Sequence, residues 1–273
     1  MSQLDAAPTD EPAFNVFGEE YSRKRYEPRP GDQHYLHLVD LQRALRPRLE
    51  RARGTWLDYG AASSPYLRFM SEAEVRRADF ATDAEFARGL DYALEPDRPC
   101  PAPDEAFDGI LSTQVLEHVE DPHAYLTDAL RMLRPGGQLV LTTHGIWEDH
   151  PCPLDLHRWT QQGLRHALAK AGFEVAECVP LTCGVRGLLE QLTLRLDETW
   201  WRDRRWRRER VVGPLGRYAG VTGLILGALR LYSRHRPQGL HAYAERFFAA
   251  EGIGREGVDK IYTALLITGS KPA

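Results

Sequence analysis

The chain has 273 residues, 42% of them hydrophobic and 27% charged, the composition of a globular protein with one large domain or a domain plus an accessory element. Its net charge of −4 excludes a protein that coats nucleic acid, a partner that demands a basic surface overall or in one dense patch. Positive charge is almost all arginine, with lysine only at Lys24, Lys170, Lys260 and Lys271, and that bias carries no functional weight.

Residues 1–30 carry Pro8, Pro12, Pro28 and Pro30 among charges and read as a loosely ordered lead-in. No basic, apolar signal segment opens it, so a cytoplasmic protein is expected. The cysteines, Cys100, Cys152, Cys178 and Cys183, have no paired metal-ligand or redox spacing, and reduced thiols with no metal are expected. From His34 to Arg53, Leu38, Leu41, Leu45 and Leu49 recur at helical spacing, and Pro47 should kink or split that helix.

Strands are expected at 55–59, 75–80, 90–94, 107–113, 138–143, 173–179 and 260–268. Asp121 and Pro122 supply an N-cap and a first-turn proline for a helix with Leu126, Ala129, Leu130 and Leu133 on its apolar face, stopped by Pro135-Gly136-Gly137. Thr160 can cap a second helix that buries Leu164, Ala167, Leu168 and Ala171 and closes at Gly172. Strands and helices alternating at this rhythm specify an α/β fold: a doubly wound, mostly parallel, seven-stranded Rossmann-like sheet with both faces covered. The rhythm breaks from Gly184 to Ile253, where helical patterns run without a strand. One domain is therefore expected, 31–183 with 254–273, interrupted by a helical insertion at 184–253.

Ligands of such a sheet bind beyond the carboxyl ends of the strands, where strand order reverses. The first strand ends in Leu57-Asp58-Tyr59-Gly60-Ala61-Ala62-Ser63-Ser64, whose small residues let backbone approach a ligand closely. Asp58 can accept a hydrogen bond from a cationic or hydroxylated ligand. A tight turn with no ligand would look similar. The three glycines of a dinucleotide fingerprint are missing, which disfavours a nicotinamide enzyme. Asp79, after the second strand, holds the usual position for gripping ribose hydroxyls.

Four segments follow in order: Cys100-Pro-Ala-Pro-Asp-Glu-Ala-Phe-Asp108, Leu116-Glu-His-Val119, Leu133-Arg-Pro-Gly-Gly137 and Ala171-Gly-Phe-Glu-Val175. With them the chain resembles class I S-adenosylmethionine-dependent methyltransferases, in particular the type 11 group, over residues 54–180 and the final strand. The resemblance implies S-adenosylmethionine as cofactor and methyl transfer as activity. It places Asp58, Gly60 and Ala62 beside the methionine moiety, Asp79 on the ribose and Glu95 or Asp97 near the adenine amine. Ser112, Thr113 and Gln114 then flank the methionine portion, and Leu116 to Val119 begin the helix behind it, with His118 as a packing residue. One position departs from the family, which has Gly-Cys-Gly where this chain has Gly60-Ala61-Ala62. If position 62 takes a positive φ, alanine costs about 1 kcal/mol or more; if it need only be small, alanine suffices. That departure sustains a rival reading, a non-catalytic S-adenosylmethionine-fold binding or regulatory protein.

A base is needed where the acceptor is a hydroxyl or a protonated amine. The segment Thr143 to Thr160, after the fifth strand, resembles a block found in a subgroup of the type 11 proteins. It concentrates His144, His150 and His157 with two aspartates, Arg158 and two tryptophans, more than a bare connection requires. His144 and His150 are the candidate bases. Asp155 and Arg158 either contact the substrate or pair to shape the loop. His34, Tyr35 and Tyr26 fold over the cofactor as a lid or pack the N-terminal helix. The acceptor is expected to be a small molecule or glycan-type compound, methylated at oxygen or nitrogen, with no nucleic acid as partner. Within the insertion, Thr199 to Arg210 interleaves six arginines with three tryptophans, and Tyr218 to Leu229 is uncharged and too short to span a bilayer. A helical cap or homodimer contact is preferred there over peripheral membrane contact through 199–229.

Overall fold

The computed structural model describes residues 18–30, 32–81, 89–150, 152–201 and 237–273. Seven strands, β1 (Gly54–Tyr59), β2 (Ala73–Phe80), β3 (Tyr92–Leu94), β4 (Phe107–Thr113), β5 (Leu133–His144), β6 (Glu174–Cys183) and β7 (Tyr262–Ser270), form one sheet in the order β3-β2-β1-β4-β5-β7-β6. β1 to β5 pair in parallel, and β7 enters antiparallel between β5 and β6. The chain winds outward through β1, β2 and β3, then restarts on the other side of β1 with β4. That reversal opens a crevice at the carboxyl ends of β1 and β4.

The period-two alternation of each strand feeds two separate cores. Leu57, Ile110, Leu265 and Ile267 pack on one face against Leu126 and Met132 of α3 (Pro122–Met132) and Leu164 and Leu168 of α4 (Gln161–Ala171). Trp56, Leu111, Val140 and Leu266 pack on the other against Leu41, Leu45 and Leu49 of α2 (Tyr35–Leu49). The caps read from the sequence are in place. The Asp121 carboxylate accepts from the N–H groups of His123 and Ala124 (2.9 and 3.0 Å), the Thr160 hydroxyl accepts from Gly163, and Gly172 closes α4 in the left-handed region.

Several local expectations need correcting. Helix α2 runs unbroken through Pro47, which forfeits the bond to the Arg43 carbonyl, because its buried leucine face holds the helix in place. β5 begins at Leu133 rather than Gln138, with residues 134–137 looped out as pairing jumps from Phe107–Leu133 to Gly109–Gln138. β6 continues to Cys183, four residues past Val179. Leu116 to Val119 form a turn, and the helix waits for the Asp121 cap. The lead-in contains a helix, α1 (Glu19–Tyr26), that has no apolar period and is anchored instead by charge: Arg23 donates to Asp32 at 2.7 Å.

Between β6 and β7 the chain forms α5 (Gly184–Trp201) and α6 (Pro237–Phe247). The fully buried Arg186 of α5 donates to both carboxylate oxygens of Asp40 on α2, each at 2.7 Å, and also binds Glu245 of α6. One guanidinium thus ties three helices together. The arginine–tryptophan run and the apolar run of 199–229 lie, beyond Trp201, outside the described residues.

Candidate active site

The turn after β1 is strained and held from β2. Gly60 has φ +83°, and a Cβ there would meet the Val115 side chain at 2.4 Å, so only glycine lets the loops after β1 and β4 close together. Ala62 has φ +43°, the positive value for which alanine is the costly choice. The strain is opposed by three contacts from β2: Asp79 Oδ2 accepts the Ala62 N–H (2.7 Å), Arg77 donates to the Ala62 carbonyl (2.7 Å), and Arg77 Nε donates to the Ser64 hydroxyl (2.9 Å). The other Asp79 oxygen accepts from the Phe80 N–H, and burial raises its carboxyl above the usual range. Asp58, buried at the end of β1, is pushed up to about 7 by burial, with the Ser64 hydroxyl and Arg77 pulling it back.

Across the crevice, Gln114 also has a positive φ, +55°, and its N–H donates to the Thr142 carbonyl. Its side-chain amide is buried with neither nitrogen nor oxygen hydrogen bonded. A buried unsatisfied amide costs about 1–3 kcal/mol and marks a place where a partner is missing. Ser112, by contrast, is committed to the protein: its hydroxyl meets the Tyr125 hydroxyl at 2.9 Å, and Tyr125 stacks on Tyr59 at 4.3 Å. Thr113 is half-buried beside it. Glu95 is exposed and paired with Arg98 at 2.7 Å. Two features went unread in the sequence. The Phe80 ring, directly after Asp79, is 49% exposed, and Ser22 of α1 donates to Ser63 at 2.8 Å, laying α1 on the turn. Tyr26, expected either in a lid or in packing of the N-terminal helix, lies under the Arg68 guanidinium, while Tyr35 is buried beside His241.

The loop after β5 gathers the imidazoles. His144, the last residue of β5, is buried and stacked on Trp147 (4.6 Å, 12°), which also touches His37 of α2 (4.4 Å) and His34 (5.0 Å). Burial holds His144 and His37 well below the ordinary imidazole range, so both are neutral at pH 7. His150 stands perpendicular to His144 at 4.9 Å, a third of its side chain exposed, and burial lowers it as well. His118 lies edge-on to His150 (4.9 Å), its Nδ1 against the Leu154 carbonyl at 2.6 Å; it packs in a turn, not a helix. Asp155 and Arg158 form a two-bond pair (2.6 and 2.5 Å) in which Arg158 also holds the Trp147, Glu148 and His157 carbonyls. These bonds fix the loop's shape, and Arg158 keeps the Asp155 carboxyl far below the usual range. Glu117, fully buried, accepts from the Thr143 hydroxyl at 2.8 Å, and burial pushes its carboxyl up to about 7. The sequence placed Glu117 in a family segment without giving it a role, and His37 was hidden in a leucine-rich helix.

A methyltransferase-domain family model matches residues 33–177, more than half of the chain and the whole of this crevice. The chain belongs to the methyltransferase-domain family. S-adenosylmethionine is the cofactor of class I members, and the orphan Gln114 amide, the buried Asp58 carboxyl and the Asp79 carboxylate at the strand ends fit it. Among curated relatives, the ubiquinone biosynthesis O-methyltransferase of Parvibaculum lavamentivorans is 41% identical over 73 residues, 27% of this chain and 28% of that one. An O-methyltransferase of Pyrenophora dematioidea is 25% identical over 125 residues, 42% of this chain and 46% of that one. The chain thus spans under a third of the first of these relatives and under half of the second. Among solved structures, the [4+2]-cyclase SpnF superposes with a TM-score of 0.50 at 18% identity, covering 91% of this chain and 87% of that one. Phosphoethanolamine N-methyltransferase 2 of Haemonchus contortus, solved with S-adenosylmethionine, gives 0.50 at 15% identity, covering 94% and 57%. At under 25% identity these likenesses carry the fold alone. No described helix is long and apolar enough to cross a membrane.

Proposed function

We propose that the protein is an S-adenosylmethionine-dependent methyltransferase acting on a hydroxyl oxygen of a small molecule with an apolar body. The observation that carries this reading is the pairing of an unsatisfied Gln114 amide at the switch-point crevice with a neutral histidine group one strand away. When bound, S-adenosylmethionine supplies a sulfonium-bound methyl group. Asp58 and Gln114 hold the methionine part, Asp79 holds the ribose, and the exposed Phe80 ring offers a flat apolar face to the base. His150, partly exposed and with its Nδ1 at 3.1 Å from the Glu148 carbonyl, presents Nε2 to the acceptor's proton. His144 stands behind it, too buried to meet a large acceptor unaided. Asp155 and Arg158 act by shaping the loop.

Hydroxyl is favoured over amine because the two curated relatives described above bear O-methyltransferase names. An apolar body is favoured by Ile146, Leu154 and Leu156, all more than two-fifths exposed on the same loop, and by Leu188 of α5. The helices between β6 and β7, close enough that Gln191 reaches the Ile146 carbonyl, serve as the cap of that pocket. Incubation with methyl-labelled S-adenosylmethionine and hydroxylated aromatics beside their amine isosteres tests the reading. Label on the hydroxyl compounds alone is expected; label on the amines alone contradicts the choice of oxygen.

A further inference from the structure

We propose that Glu117, His144 and His150 form a binding site for one divalent transition-metal ion such as Zn²⁺. Their ligand atoms all lie within 4.8 Å of one another, at the carboxyl ends of β4 and β5. The site combines two imidazoles with one carboxylate, a set suited to zinc, iron or cobalt and leaving an open coordination position.

Three observations favour an ion over a plain hydrogen-bonded cluster. Glu117 Oε1 and His144 Nε2 are 3.4 Å apart, too long for a good hydrogen bond, and Oε1 has no other hydrogen-bond partner although fully buried. Two ligands on one ion with bonds of 2.0–2.1 Å at a tetrahedral angle stand about 3.3 Å apart, which is the spacing seen. The outer contacts are those that metal ligands use. His150 Nδ1 faces the Glu148 carbonyl (3.1 Å) and Asp155 (3.3 Å), which leaves the Nε2 lone pair for the ion, and the second Glu117 oxygen is held by Thr143. Finally, a buried carboxylate with no cation beside it is expensive, and a divalent ion supplies the missing charge.

A second trio, His118, His150 and Asp155, also falls within ligand spacing. Its carboxylate is already engaged, since both Asp155 oxygens bind the Arg158 guanidinium. The ion belongs with Glu117 and His144. In methyl transfer it would orient an acceptor hydroxyl and lower its pKa, taking over the work of a free His150 base; that role, unlike the ion site itself, rests on the proposed function.

Tag-free protein stripped with a chelator and titrated with Co²⁺ tests the site. We expect one equivalent bound with the strong visible absorption of a four- or five-coordinate ion, displaced by Zn²⁺. Binding should weaken at least about 100-fold in Glu117→Gln and His144→Ala and change less than about threefold in His118→Gln. Circular dichroism confirms folding, and Glu117→Gln, which keeps volume and the Thr143 contact, decides the matter if His144→Ala unfolds. No stoichiometric binding, or binding that survives Glu117→Gln, overturns the site. Calorimetry of the stripped protein with S-adenosylmethionine separates the two proposals: cofactor without metal overturns only the ion, and metal without cofactor overturns only the methyltransferase reading.

Discussion

The Asp79 carboxylate reaches from the end of β2 to accept the backbone N–H of Ala62 at 2.7 Å. This bond joins the ends of β1 and β2 on one side of the crevice, and it does so at the residue whose φ is +43°. The acid expected to grip a ribose therefore also holds a strained turn. A cofactor entering the site must leave that clamp intact or share it.

Replacing Ala62 by glycine should relieve the strain without disturbing the clamp, because the bond uses backbone. We expect a gain of about 1 kcal/mol in thermal unfolding and unchanged or tighter S-adenosylmethionine binding. Weaker binding in Ala62→Gly would mean that the turn is not built around the cofactor as described.

Asp58 gives a pH signature. Its carboxyl is raised from 3.8 to about 7, so between those values the folded chain holds a proton that the unfolded chain has lost. The folded state binds more protons there, and stability falls as pH rises through that window. Asp58→Asn removes the effect, so the variant should gain on the wild type between pH 4 and 8, by about 4 kcal/mol at most. On the proposed role of Asp58, cofactor binding uses the ionised form, so wild-type affinity should fall by up to about tenfold per unit below pH 7, and Asp58→Asn should bind weakly at every pH. Urea melts and calorimetry across pH check both.

Gln114 sets stability against function. Gln114→Met keeps the volume and removes a buried amide with no partner. The unliganded protein should become more stable by about 1–2 kcal/mol, while S-adenosylmethionine affinity drops at least about tenfold. A stability loss in the unliganded variant would show that the amide is satisfied without cofactor.

Phe80 predicts the reverse pattern, since its ring is 49% exposed and supports little of the core. Phe80→Ala should leave the melting temperature unchanged and weaken cofactor binding by about 0.5–1.5 kcal/mol, the worth of an aromatic stack. Equal affinity would remove Phe80 from the site.

Arg186→Met leaves buried Asp40 with only the more distant Arg43 guanidinium (3.7 Å) and should cost about 3 kcal/mol in chemical denaturation, whereas Arg186→Met with Asp40→Leu should recover most of the loss. No recovery in the double variant would show that the pair does more than neutralise charge.

Much of the fold was legible because its strands carry clean apolar runs and its helices carry local caps: Asp121, Thr160 and Gly172 all act where they were read. Pro47 misled because the local proline rule does not weigh the packing of the buried leucine face, which outweighs one lost hydrogen bond. Leu116 to Val119 look helical by content, yet Leu156 and His157 both donate to the Glu117 carbonyl, a long-range demand that holds the segment in a turn. At the site, Asp58, Gly60, Asp79 and Gln114 come together as the family segments implied. The Ser112 hydroxyl and the Glu95 carboxylate hold protein partners instead, Tyr125 and Arg98. His37 and Arg186 were invisible because each acts across more than a hundred residues of chain, meeting Thr263 and Asp40 only after folding.

Calorimetry with S-adenosylmethionine and S-adenosylhomocysteine tests the central claim most directly. Micromolar binding of both by the wild type, lost in Asp58→Ala, is the predicted result. A folded wild-type protein that binds neither would contradict methyl transfer and leave a methyltransferase fold put to another use.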